Sequence, residues 1–138
     1  GPQQACEGEA SRRLQALAEH HGEVAALPDG YRCAETLDFR PLLAALADGI
    51  EAGRGAALFH ATLAAGLADW VSQAAERCGI AQLACGGGCF LNGYLLHRLT
   101  ALLAGRGIEV FSARRFSPGD SALSLGQAWV AVRHWQER

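Results

Sequence analysis

Residues 82–92 read QLACGGGCFLN, three consecutive glycines held between two cysteines directly after a short apolar run. Three kinds of chemistry fit such a stretch: a metal clip through Cys85 and Cys89, a redox pair, or a backbone cradle for phosphate. The flanks separate them. Upstream, "IAQLAC" has the length and apolar content of a short strand; downstream, "NGYLLHRLTALLAGRG" carries leucines at helical spacing and ends at Gly105 or Gly107. A Cys-x3-Cys spacing suits half of a tetrahedral zinc site, but no second Cys or His pair stands at ligand spacing, and Cys78 and His97 would have to be recruited by the fold. A redox pair needs one residue fewer between its thiols. Strand, glycines, then a helix starting near Asn92 is the context in which backbone N–H groups and a helix N-terminus meet an anion. The glycines match neither the dinucleotide fingerprint nor the phosphate-binding loop with its Lys, so a tight strand-to-helix turn without a ligand stays open beside the cradle. Cys85 and Cys89 then read as small buried fillers next to the turn.

A second turn repeats the arrangement. "IEVFSA" reads as a strand, "SPGDSALSLGQA" follows it, and a final helix, "DSALSLGQAWVAVRHW", begins with Asp120 at its cap. Two parallel strands would bring both turns to one carboxyl edge, where open α/β sheets bind ligands. A carboxylate facing a phosphate cradle suits a nucleotide-bound divalent metal, and Asp120 can serve as helix cap as well. A third cluster, "CEGEAS", sets Glu7 and Glu9 around Gly8 at a helix start. Acids there can accept ribose hydroxyls or simply favour the helix N-terminus.

The rest of the chain is mostly helical. "EASRRLQALAEHH" places Ala10, Leu14, Leu17 and Ala18 on one face and stops at Gly22. Residues 23–40 read as a loop with an Asp29-Gly30 turn and a short strand near Tyr31 to Cys33. A helix follows from Pro41 after Asp38 as cap, with Leu42, Leu43, Leu46 and Ile50. The longest helix spans roughly Gly55 to Cys78, with Leu58, Phe59, Leu63, Leu67, Trp70 and Val71 as its periodic face. The expectation is a helix-rich α/β fold with a short, incomplete parallel sheet. A helical part covers about 9–78 and an α/β part about 79–138, within a single domain from residue 3; Gly1-Pro2 reads as what a cleaved purification tag leaves.

The chain's 138 residues carry 12 Lys+Arg against 14 Asp+Glu, a net charge of −2 without a basic run, which argues against nucleic acid as a partner. No apolar run spans a bilayer and no signal segment opens the chain. Five cysteines, an odd count, then favour free thiols in a cytoplasmic setting.

The clusters, in their order, resemble the C-terminal part of the hydrogenase-maturation carbamoyltransferases (HypF-type proteins). That family's pattern is an "EGEA" or "EGQA" turn, an "FH" helix, "SGG-x-FQN", then Pro-x-Asp with small residues and "LALGQA". This chain offers Glu7-Gly8-Glu9-Ala10, Phe59-His60, Gly86-Gly87-Gly88-Cys89-Phe90-Leu91-Asn92, Pro118-Gly119-Asp120 and Leu123-Ser124-Leu125-Gly126-Gln127-Ala128. The match runs from Cys6 to about Val132. Gly86 stands for the usual Ser, Leu91 for Gln, Gly119 for Asn, and Ser121-Ala122 for a Gly pair.

The resemblance implies the second lobe of an actin-like ATPase (ribonuclease-H-like) domain, similar to threonylcarbamoyl-tRNA transferases. It implies a parent protein with acylphosphatase-like, zinc-finger and YrdC-like domains. That protein makes carbamoyl-adenylate from carbamoyl phosphate and ATP, and passes the carbamoyl group to the C-terminal Cys thiol of a HypE-type acceptor. Carried over, Glu7 and Gly8 meet the ribose; Gly87, Gly88 and Asn92 hold adenosine or its phosphate. Asp120 completes a divalent metal site whose His ligands come from the other lobe. His20-His21 is no substitute, since adjacent helical residues point about 100° apart. His60 is a candidate for a direct catalytic role, against the alternative of a packing residue. The fragment alone is expected to be inactive. O-carbamoyltransferases of antibiotic and nodulation type share similar motifs, and a non-catalytic docking module is a further alternative. Its incomplete sheet leads us to expect a homodimer across the open strand edge.

Overall fold

The computed structural model describes residues 8–136. Helix α1 (Glu9–His21) ends at Gly22, whose N–H donates to the Ala18 carbonyl at 3.0 Å. Two short strands follow, β1 (Arg32–Cys33) and β2 (Leu37–Asp38), paired antiparallel. The turn before them differs from its sequence signature: Asp29, not Gly30, takes the left-handed conformation, at φ 55°. Asp38 then accepts the Arg40 N–H at 2.9 Å, opening α2 (Arg40–Ala47) with Pro41 in its first turn. The Arg40 guanidinium and N–H hold the Asp38 carboxyl down to about 2. Leu42 is buried on that helix, whereas Leu43 faces solvent.

Helix α3 (Ala52–Cys78) is the spine. It starts three residues before the expected Gly55, because Glu51 caps it: one carboxylate oxygen accepts from Gly53 and the other from Arg54, both at 2.8 Å. It stops where expected, with Gly79 left-handed at φ 65°.

The buried face of α3 differs from the face its large apolar residues suggest. Ala56, Ala57, His60, Ala61, Thr62, Ala64, Gly66 and Ala68 are buried, while Leu58, Phe59, Leu63 and Leu67 are half-buried and Trp70 is exposed. The reason is close approach. Small side chains let α1, the β1–β2 hairpin and α4 (Gly93–Ala104) lie directly on α3.

Strand β3 (Gln82–Cys85) pairs in parallel with β4 (Glu109–Ser112), in register from Gln82↔Glu109 to Cys85↔Ser112, with α4 as the crossover. Among the described residues the fold is therefore helix-rich α/β with two small two-stranded sheets. Ala68, Cys85, Leu99, Leu103 and Ile108 form the core beneath β3–β4, and a second cluster of Ala18, Ala56 and Ala57 joins α1 to α3. The last helix, α5 (Leu123–Gln136), is exposed along its length, including Trp129 and Trp135. Among the described residues no helix is long and apolar enough to cross a membrane.

Candidate functional site

Because β3 and β4 run in parallel, Cys85 and Ser112 end at one sheet edge, and the turns that follow them meet there. The Gly87 N–H donates to the Pro118 carbonyl at 2.6 Å, tying the glycine turn to the Pro118-Gly119-Asp120 loop. Gly87 sits at φ 100°, ψ 162°, a backbone region essentially reserved for glycine. A 3-10 turn (Gly88–Leu91) that the sequence pattern did not signal then leads to Asn92.

Asn92 joins that turn to α4. Its N–H donates to the Cys89 carbonyl at 3.2 Å, and its Oδ1 accepts the Leu95 N–H at 3.0 Å as the helix cap. Its Nδ2 lies 2.8 Å from His60 Nε2. His60 itself is 1% exposed, with Nδ1 2.8 Å from the Ala56 carbonyl and its ring edge-on to Phe59 and Tyr94.

The two cysteines part company. Cys85 is buried in the core, and burial raises its thiol pKa; Cys89 is exposed on the 3-10 turn rather than a buried filler. They lie on different elements: Cys85 ends β3 on its core side, and Cys89 is carried by the exposed turn. Among the described residues no three His, Cys, Asp or Glu gather around a metal-sized site.

Asp120 is also corrected in part. It does not cap the final helix but opens a separate 3-10 turn (Asp120–Ala122), and α5 begins only at Leu123. Asp120 is exposed and lines a cavity of about 820 Å³ together with Gly87, Gly119, Gln127 and His134. Gln127 and His134 were missed from sequence. Their spacing from Leu123, with Val130 and Ala131 between, is one helical face and was the available signal. Gly8 opens α1 in a left-handed conformation at φ 75° and does not line this cavity; Glu7 lies outside the described residues.

The opposite end of the sheet holds a different network. Asp69 on α3 accepts from the Tyr31 hydroxyl and from Arg106, which also donates to Ser72 Oγ at 3.0 Å. Burial and then the Asp69 carboxylate push the Tyr31 phenol up to about 12. Burial alone would raise Asp69; the hydrogen bonds from Tyr31 and Arg106 outweigh it and hold the carboxyl below its ordinary value. Four side chains from α3, the hairpin side and the α4–β4 turn are thereby tied together, away from the glycine edge.

The chain matches one known family over most of its length. A family model described as carbamoyltransferase, Kae1-like domain, second subdomain matches residues 2–127. The chain belongs to the HypF carbamoyltransferase family. It is 39% identical over 157 residues to carbamoyltransferase HypF2 of Cupriavidus necator, covering 94% of this chain and 20% of that protein. It is 43% identical over 144 residues to a carbamoyltransferase HypF homolog of the same organism, covering 94% of this chain and 36% of the relative. The fold superposes with a TM-score of 0.82 and 28% identity on the crystal structure of full-length HypF in the phosphate- and nucleotide-bound form. That match covers 94% of this chain and 18% of the HypF chain, so the present chain spans a minor part of its relatives' length.

Proposed function

We propose that this chain is the nucleotide-binding part of a carbamoyltransferase acting in [NiFe]-hydrogenase maturation, within the second lobe of an actin-like domain. The Gly87–Pro118 bond carries the reading, because it gathers a glycine turn and a carboxylate around one cavity at the carboxyl edge of the sheet. The relative solved with phosphate and nucleotide supports it. In this reading Gly87, its own N–H held by the Pro118 carbonyl, shapes the turn beside the phosphate, the Gly88 N–H receives phosphate, Asn92 adds a side-chain donor, and Glu7 with Gly8 meets the ribose. The ligand is ATP or carbamoyl-adenylate, formed from carbamoyl phosphate and ATP. The carbamoyl group passes to the C-terminal Cys of a HypE-type acceptor.

Asp120 is the carboxylate this edge offers to a divalent metal, and the remaining ligands come from other domains of the parent protein. Bound there, a divalent cation supplies charge neutralisation for phosphate oxygens. What this chain's residues do is bind and orient the nucleotide. Acceptor thiol, metal and adenylate must converge from several domains, so the chain by itself is inactive.

Calorimetric titration with ATP and Mg²⁺ tests the reading. A Cβ at Gly88 meets no atom within 4 Å, so Gly88→Ala leaves the fold intact and intrudes only on a ligand. Saturable binding that Gly88→Ala weakens tenfold or more, and that Asp120→Ala weakens only with Mg²⁺ present, is the expected result. Unchanged affinity in both variants refutes it.

A docking reading draws on a separate observation, the open edges of the β3–β4 pair and the exposed apolar α5. It expects a dimer in concentrated solution; a monodisperse monomer by small-angle scattering rules that out.

A further inference from the structure

His60 and Asn92 lie 32 residues apart in sequence and meet through a hydrogen bond whose direction the surrounding atoms dictate. Asn92 Oδ1 accepts from the Leu95 N–H, and a backbone N–H can only donate, so the amide nitrogen is the end that faces His60. Nδ2 is likewise only a donor, which makes His60 Nε2 the acceptor, without a proton. The Ala56 carbonyl can only accept, so the ring proton sits on Nδ1. One tautomer satisfies all three bonds, and a proton on Nε2 would set donor against donor. The ring has no freedom to find another arrangement: it is 1% exposed and sits edge-on between Phe59 and Tyr94, with centroids 5.4 Å away on each side.

The consequence lies at the glycine turn. Asn92 closes the Gly88–Leu91 turn with its N–H and caps α4 with its Oδ1, and its half-buried amide keeps one Nδ2–H beyond the bond to His60. We infer that His60 is a positioning residue: from α3 it fixes the Asn92 amide so that the remaining N–H is presented at the glycine turn. The inference rests on the reading of Asn92 as a nucleotide contact for its use in binding, although the His60–Asn92 geometry stands without it. His60 thus acts through Asn92 and needs no contact with the reacting atoms.

The test uses the 138-residue chain labelled with ¹⁵N. The imidazole of His60 should show a protonated Nδ1 and a bare Nε2, with scalar coupling across the hydrogen bond to Asn92 Nδ2. The Asn92 side-chain protons should exchange slowly in the wild type and in His60→Gln, which restores an acceptor, and quickly in His60→Leu. Calorimetry with ATP and Mg²⁺ should show His60→Leu binding about tenfold more weakly, as for one lost hydrogen bond. His60→Gln should lie nearer the wild type. Combining His60→Leu with Asn92→Ala should weaken binding no further than Asn92→Ala alone, since both remove one interaction. A protonated Nε2, missing coupling, or additive losses in the double variant would overturn the inference. Should the wild type bind no ATP at all, the nucleotide reading fails while the tautomer and Asn92 exchange still decide the positioning role. If His60→Leu does not fold, the same coupling and exchange measured in the wild type and His60→Gln decide it instead.

Discussion

Gly30 and Gly88 are the same residue under opposite constraints. Gly30 is buried under α3, and a Cβ there would come within 2.7 Å of Thr62 Cγ2 and 2.9 Å of Leu27 Cβ. Its neighbours are pinned as well, since the Leu27 N–H donates to Thr62 Oγ1 and the Leu42 N–H to the Gly30 carbonyl. Around Gly86, Gly87 and Gly88 a Cβ would meet no atom within 4 Å. The first glycine is needed because protein already fills the space. The turn glycines border space that the described protein leaves empty, as do exposed glycines such as Gly22 and Gly79. A scaffold built by close packing therefore carries an edge built by its absence.

Gly30→Ala should be the most damaging of a series that probes this contrast, lowering unfolding free energy by about 3 kcal/mol in chemical denaturation, as overpacking against a buried threonine does. A loss below about 1 kcal/mol would mean the scaffold side is slack. Gly87→Ala should follow at about 2 kcal/mol, through its φ of 100° rather than through any clash. Tyr31→Phe should lose about 1.5 kcal/mol near neutral pH, from one hydrogen bond to a partly exposed carboxylate. Its pH signature follows from the raised phenol. The folded form keeps its proton up to about 12 while the unfolded chain loses it near 10, so this stabilisation is full below pH 10 and fades between 10 and 12. Tyr31→Phe should flatten that alkaline decline in a series of melting curves. The depressed Asp69 acts in the opposite direction, its contribution present above the ordinary carboxylate range and lost as acid protonates it. Gly88→Ala should change stability least, by under about 0.5 kcal/mol, while weakening ATP binding; a variant that loses both would make Gly88 a structural glycine like Gly30.

Much of this architecture was legible along the chain. The ends of α1 follow from a charged first turn and Gly22, and α4 from Asn92 and its leucines. The parallel order of β3 and β4 follows from strand, helix and strand with short turns. Local signals were enough there because capping and hydrophobic period act within a few residues. The packed face of the long helix was less legible. Its leucines and Phe59 marked one face, yet the alanines are buried, because a neighbour's closeness, not a residue's own hydrophobicity, decides which stripe is covered. At the site, Gly87 and Asp120 could be nominated from motif order, but Gln127 and His134 could not be joined to them without the path of the chain after Asp120.

By itself the sequence determined where α1 and α3 stop and where α4 starts, and it determined that a glycine turn follows one strand and an acidic turn the other. Those are properties of neighbouring residues. Only the tertiary structure decided that the Gly87 N–H meets the Pro118 carbonyl, that His60 has the single tautomer Asn92 requires, and that Cys89 faces outward while Cys85 does not. Each depends on atoms distant in sequence and on directional hydrogen bonds or exclusion of solvent, which exist only once the helices have packed.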